Sequence, residues 1–204
     1  MIVGLVVAWR WGAALLPDEV RGWAEHLPGV ASSGSVEPSP SDAAAAVARY
    51  EALVGGASGG EVRLTDAEVS GALRYRVPEA VPDILDRPLV TFHDEEVRIQ
   101  GSVLLRDLPP VPAPDRLAGV LPDTVTLTVQ GPLLPLEAGT AAVVVQRMQA
   151  SGVPVTARLR PRVLDVLGRP DRRDLPSNAF PISLPAGVSR AFLDGDALVL
   201  EDGG

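Results

Sequence analysis

Between Glu61 and Val77 the chain reads EVRLTDAEVSGALRYRV, a short alternating strand that runs into an amphipathic helix with no linker between them. The junction is specified residue by residue. Thr65 can cap the helix with its hydroxyl while Glu68 reaches back to the N–H of the cap, which satisfies two donors that a helix start otherwise leaves orphaned. Leu64 before the cap and Val69 after it stand at the spacing of a hydrophobic staple, a contact that sets the angle at which strand enters helix. Val69, Ala72, Leu73 and Val77 then follow the i, i+3, i+4, i+8 rule and make one apolar stripe, which Pro78 ends. Strand and helix joined this directly must share a core, so the expected class is α+β.

Composition limits what that core is built from. The 204 residues suffice for one ordinary domain with extensions. Apolar residues make up 46% and charged residues 22%, a globular balance, but aromatics only 4%, so the core must rest on Val, Leu, Ala and Ile. Gly and Pro, at 20 each, point to many turns and interrupted elements rather than a helical bundle. All 18 basic residues are Arg, which reads as coding bias. A net charge of −8 argues against nucleic acid as a partner, because such binding rests on a basic surface. Without cysteine there is no disulfide frame and no thiolate metal site.

Residues 1 to 16, MIVGLVVAWRWGAALL, are apolar apart from Arg10. A bilayer span takes about 20 apolar residues, and the basic flank of a signal peptide is missing in front of this segment. Trp9, Arg10 and Trp11, however, form the aromatic and cationic cluster found where a span meets the membrane interface. Two expectations stand side by side: the end of a membrane anchor that begins upstream of Met1, or an N-terminal helix packed on the protein. Residues 17 to 38, with Pro28, Gly29, Ser32, Ser33, Gly34, Ser35 and Pro38, read as a tether. Residues 39 to 204 are expected to form a single α+β domain.

Within that domain Ser39, Pro40 and Asp42 form a helix start, with a capping serine, proline at the first helical position and an acid in the first turn. The Ala-rich run that follows, through Val47, Tyr50 and Leu53, ends at Gly55 and Gly56. Leu89 to His93 and Val97 to Leu105 read as two strands of a hairpin turning at Asp94 and Glu95. Pro109, Pro110, Pro112 and Pro114 mark a loop that can end in a helical turn at Asp115 to Leu121. Thr124 to Gln130 alternates cleanly, with Val125, Leu127 and Val129 inward. Thr140 to Gln149 is different, because Ala142, Val144 and Met148 share one face while Ala141, Val143 and Val145 share the other. A strand apolar on both faces needs both covered, by a helix on one side and by another sheet, the membrane or a ligand on the other. Thr156 to Leu167 follows as a second helical stretch, regular only from about Pro161 and stopped by Gly168 and Pro170. The chain closes with a hairpin, Val188 to Leu193 and Ala197 to Glu201, expected to turn at Asp194 and Gly195 in type I′ geometry.

Catalytic patterns are missing. The histidines are His26 and His93, and there is no G-x-S-x-G elbow, H-x-x-x-H pair or P-loop, so the chain reads as a non-enzyme without a cofactor. Asp83, Asp86, Asp94, Glu95 and Glu96 lie close in sequence without the regular spacing of a cation loop, so they read as a surface cluster and no metal is expected. Arg158, Arg160, Arg162, Arg169, Arg172 and Arg173 gather around the second helix against Asp165, Asp171 and Asp174. They are either a solvated face with loose ion pairs or a docking site for phosphate, which guanidinium grips with parallel hydrogen bonds.

LTDAEVSGALRY at 64 to 75 is similar to the L-T-x-x-E opening helix of the bacterial relatives of tubular lipid-binding (TULIP-like) proteins, the envelope group that includes YpmS-like and LmeA-like proteins. GTAAVVVQRMQASGVPV at 139 to 155 resembles their strand and small-Gly-x-Pro step, and FPISLPAGVSRAFLDGDALVLED at 180 to 202 their closing segment and hairpin. The resemblance spans most of residues 61 to 202. It implies a long curved antiparallel sheet wrapped around one or two amphipathic helices, with an apolar groove for acyl chains, on the extracytoplasmic face of the cytoplasmic membrane. The function expected is therefore non-enzymatic binding of lipid or another amphiphile at the cell envelope. Val69, Leu73, Val77, Val143 and Val145 are expected to line the groove, Arg158, Arg160 and Arg162 to meet the headgroup, and the N-terminus to hold the protein to the membrane. The alternative is a structural or interaction module whose apolar face covers a partner chain.

Overall fold

Ser39 opens the first helix as its neighbours demand. Its hydroxyl accepts from the Asp42 N–H at 3.2 Å and the Asp42 carboxylate accepts from the Ser39 N–H at 2.8 Å, a reciprocal cap with Pro40 at the first turn. This structure, a computed structural model, describes residues 37–108, 123–137, 139–169 and 175–203. The expected anchor at 1 to 16, nearly all of the tether, the proline loop with its helical turn at Asp115 to Leu121, and Arg172, Arg173, Asp171 and Asp174 lie outside the described residues. Helix α1 spans Pro40–Val54, β1 Glu61–Leu64, α2 Asp66–Tyr75, β2 Asp86–His93, β3 Glu96–Leu104 and β4 Thr124–Pro135. After these come β5 (Thr140–Val144), β6 (Arg147–Ala150), β7 (Val153–Pro154), α3 (Arg160–Val166), β8 (Ala179–Ser183), β9 (Val188–Asp194) and β10 (Ala197–Asp202). All the strand pairs are antiparallel, so the class is α+β with a large antiparallel sheet.

Among the described residues the strands form a large antiparallel sheet and a second, smaller one. β1, β10 and β9 form a three-stranded sheet; the seven-stranded one runs β2-β3-β4-β5-β8, with β6 on β4 and β7 on β6. Cross-strand partners put Phe92 beside Val97, Val97 beside Gly131, Ile99 beside Val129 and Val103 beside Val125 on one face of the large sheet, with Leu133 beside Val143 farther along. Arg98 beside Gln130 and Gln100 beside Thr128 occupy the opposite, polar face. An antiparallel sheet with one wet face needs only one face covered. Helix α3 covers part of it, since Val163, Leu164 and Leu167 pack with Val125, Leu127, Val129, Val143, Val145 and Met148. Elsewhere α1 and the small sheet bring Ala46, Leu53, Val62, Leu64 and Leu200 against Ala141. Val90, Phe92 and Val97 pack with Val69 and Leu73 of α2, and Leu133 touches all three clusters.

A bulge explains the unusual strand at 140 to 149. Leu133 faces Val143 on β5, but Gln130 faces Arg147 on β6, so the pairing slips by one residue between them. Val145 and Gln146 stand opposite Gly131, and the Gln146 N–H donates to the Gln130 carbonyl at 2.9 Å. The extra residue reverses which way the later side chains point. Met148 consequently joins Val143 and Val145 in one cluster instead of sharing a face with Ala142 and Val144, a correction to the alternation counted from sequence. Gly131 is obligatory, because a Cβ there would overlap the Val144 carbonyl.

Helix α2 is anchored by its cap and by its small residues. The Thr65 hydroxyl accepts from the Glu68 N–H at 3.2 Å, and the Glu68 carboxylate accepts from the Thr65 N–H at 2.8 Å and from Arg49 Nε of α1 at 2.8 Å. The expected stripe is only half-buried at Val69, Ala72 and Leu73, and Val77 lies beyond the helix end. Its most buried residues are Glu68, Ser70 and Gly71. At Gly71 a Cβ would come within 2.8 Å of the Ala43 backbone nitrogen, so the two helices meet at backbone distance. Ser70 does a different task. Counting from the turn, Val90 is a pair whose N–H and C=O face away from β3. Ser70 Oγ accepts from that N–H at 2.8 Å and donates to that carbonyl at 3.0 Å, which satisfies Val90 at the edge of the large sheet.

α3 begins at Arg160 with Pro161 in its first turn, as the proline required, and stops at Gly168, whose φ of +82° lets Gly168 N–H reach the Asp165 carbonyl and Arg169 N–H the Leu164 carbonyl. The closing hairpin pairs Asp194 with Ala197, so its turn residues are Gly195 and Asp196 rather than Asp194 and Gly195. Only Gly195 has positive φ, at 62°, the pattern of type II′ instead of type I′. Asp94 and Glu95, both at positive φ (49° and 62°), take the type I′ position in the earlier hairpin.

Candidate functional site

The residues expected to line one groove fall in two places. Val143 and Val145 are 2% and 0% exposed, with α3 packed over them. Val69 and Leu73 pack against the other end of the same face with Val90 and Phe92, and Val77 is 39% exposed at the surface. Of the five, Leu73 lines a cavity. Val145 ends instead in backbone bonds that fix the bulge: its N–H donates to the Asn178 carbonyl and its carbonyl accepts from the Asn178 side chain.

That cavity is a cleft of about 440 Å³ between the C-terminal end of α2 and the segment that leads to β2, lined by Leu73, Arg74, Tyr75, Pro78, Val81 and Leu85 among others. Its size is in the range of small-ligand sites. The sequence builds it simply. Tyr75 is the last residue of α2, and Pro78 begins a short 3-10 turn, Pro78–Ala80, that swings the chain away from the helix axis. Leu85 brings it back: its side chain fills the place where a Cβ of Gly101 would stand, which ties the far wall to β3. The walls thus hold aliphatic and proline carbon, and Asp83, Asp86, Arg87 and Arg74 supply the charge.

Arg74 is the most unusual group in this cleft. Its side chain is 19% exposed, and Nη1 reaches Glu37, itself 86% exposed, at 3.3 Å. Its Nε is buried without a hydrogen-bond partner. A buried unpaired donor costs about 1–3 kcal/mol, more when charged, so such a group calls for an explanation. Asp86 and Arg87 pair with each other at 3.2 Å. The Tyr75 hydroxyl donates to the Pro38 carbonyl at 3.4 Å, so residues 37 and 38 cross the end of α2 beside Arg74.

The arginines expected to meet a headgroup lie elsewhere. Arg158 and Arg162 are exposed, and Arg160 donates from Nη1 to the Gln146 carbonyl at 2.9 Å, tying α3 to the bulge. Arg169 pairs with Asp165 at 2.7 Å and donates to the Ser177 carbonyl. The acids do not converge. Asp94 pairs with His93, Asp86 with Arg87, and Glu96 with Arg147, and among the described residues no group of three or more acids and histidines is placed to hold a metal ion. Glu96 accepts from Arg147 Nη2 and from Gln130 Nε2, each at 2.6 Å, and the Arg147 guanidinium first of all holds its carboxyl below the usual range, against an opposing push from burial. This group sits on the polar face of the sheet.

Sequence reasoning passed over Arg74, Val81 and Leu85. The signal was present as a run of Pro78, Pro82 and Pro88 around isolated aliphatics directly after a helix stop, a pattern of a shaped wall rather than a regular element. None of the family models, curated proteins or solved structures compared with the chain matches it, so the TULIP-like resemblance rests on its motifs alone.

Proposed function

We propose that the protein binds an amphiphile, a lipid or a molecule built like one, in the cleft at the end of α2, and holds it without chemistry. The observation that supports this most is the mixed lining of the cleft: the aliphatic side chains of Leu73, Val81 and Leu85 beside charged groups, among them a largely buried guanidinium with an unused donor. Aliphatic carbon and charged groups in one cleft offer separate places to the tail and the head of such a ligand. The apolar segment at residues 1 to 16 supports placing this activity at a membrane surface, on the extracytoplasmic side that the resemblance implies. Extraction of the protein from its native source followed by lipid mass spectrometry tests the reading. A stoichiometric amphiphile that is lost in Leu73→Trp supports it, and a protein that carries none and takes up none from mixed vesicles refutes it.

A second reading, an interaction module, has its own support. Tyr75 and Val77 are 44% and 39% exposed directly beside the cleft, an apolar margin that a partner chain could cover. Among the described residues of the large sheet, Ser70 occupies the outward groups of Val90 on the β2 edge, while the edge strands β8 and β7 carry Pro181 and Pro154, which discourage strand addition there.

A further inference from the structure

We infer that the ligand of the cleft carries an anionic head, a carboxylate or a phosphate, and that Arg74 is the residue that receives it. This rests on the amphiphile reading and adds the chemistry of the head. Arg74 occupies the last turn of α2, where its charge favours the helix dipole, yet its one hydrogen bond among the described residues goes from Nη1 to Glu37 at 3.3 Å, a long contact to a solvated carboxylate. The planar guanidinium fork is matched to two oxygens on one acceptor, and Nε is one of the donors that such an acceptor uses. Nε is the atom left buried and unpaired, and the group lines the same cleft as the aliphatic carbons. A carboxylate or phosphate entering with its tail along Leu73, Val81 and Leu85 would meet the Arg74 guanidinium in a partly dry setting, where a charged hydrogen bond is stronger than in water.

Glu37 then acquires a role. Its carboxylate reaches the guanidinium that the ligand's head needs, so it competes with the ligand from outside. It is almost fully exposed, and removing its charge leaves the core untouched. The other charges of the cleft leave Arg74 as the anchor, because Arg87 is already paired with Asp86 and Asp83 would repel an anion.

The test is isothermal titration of the full chain at pH 8 with dodecanoate, dodecanol, acetate and inorganic phosphate. Dodecanoate should bind at least about tenfold more tightly than dodecanol, the scale of one charge-assisted hydrogen bond. Arg74→Gln should erase that difference while leaving dodecanol binding in place, and Arg74→Lys should retain only part of it because the fork is gone. Glu37→Gln should tighten dodecanoate, a gain that an unfolding artefact does not produce. Thermal melting of each variant shows that it is folded. If dodecanol matches dodecanoate and both weaken in Leu73→Trp, the anionic head is wrong and the amphiphile reading stands. If acetate or phosphate binds as tightly as dodecanoate, the tail contributes nothing and the inference fails as stated. Silence from all four compounds overturns the inference and the reading beneath it together.

Discussion

Replacing Ser70 by Ala is the sharpest probe of how α2 holds the large sheet. By propensity alone the change is favourable, since Ala stabilises a helix interior by about 0.5 kcal/mol relative to Ser. The structure gives the opposite sign. Ser70 is 0% exposed, and its hydroxyl is the partner of both Val90 N–H and Val90 C=O at the outer edge of β2. Each buried backbone group left without a partner costs about 1–3 kcal/mol, so two of them outweigh the propensity gain and the net loss should be about 2 to 5 kcal/mol. Urea unfolding followed by far-ultraviolet circular dichroism measures it, read as a fall in midpoint at unchanged slope. A second consequence follows from the opened edge, because unpaired strand groups template association, and light scattering should show a concentration-dependent mass absent from the parent protein. An unchanged or raised midpoint for Ser70→Ala would refute this account of the helix–sheet junction.

Three further outcomes are expected. Thr65→Ala should lose about 1 kcal/mol in the same unfolding assay, the worth of one capping hydroxyl, because the Glu68 bonds to the Thr65 N–H and to Arg49 survive the change. Gly131→Ala should cost about 3 kcal/mol or more, at or beyond the upper range for overpacking, since its methyl meets a backbone carbonyl that cannot rotate away; normal stability would remove the bulge. Glu96 has its folded pKa depressed, so its contribution to stability is present above the unfolded value of about 4.3 and is lost as pH falls through the lower folded value. In Arg147→Met the Glu96 carboxyl should titrate closer to the ordinary range by carbon NMR, and an unmoved titration would show that Arg147 is not the cause.

What could be read in the sequence was local and polar; what could not was set by the sheet. The capping boxes at Ser39 and Thr65 were legible because each is a reciprocal pair within one turn and needs no distant partner. The proline start and glycine stop of α3 were legible for the same reason. The bulge was hidden, because an extra residue at Val145 and Gln146 shows only when β5 and β6 are laid beside β4, and every side chain beyond it changes face. The packing face of α2 was hidden too: Ser70 and Gly71 do not register as apolar, yet smallness at Gly71 and two hydrogen bonds at Ser70 bring α2 to α1 and β2. Val143 and Val145 looked like groove residues because both faces of their strand are apolar, whereas the cover over them is α3 of the same chain. Leu73, within the stripe counted from the sequence, lines the cleft, but Arg74 next to it, which that count does not pick out, carries the charge.

The central claim is that an amphiphile seats in the cleft formed by α2 and residues 78 to 88. Nitrogen–proton correlation spectra of the labelled protein, recorded as dodecanoate is added below its micelle concentration, test this most directly because every backbone amide reports separately. Saturable shifts are expected at Leu73, Arg74, Tyr75, Val81, Leu85 and Arg87, with Val143, Val145 and the α3 residues Val163 and Leu164 unmoved. Shifts centred on Val143, Val145 and α3 would place the ligand in what is described here as filled core, and that result, or the absence of any saturable shift, would contradict the account.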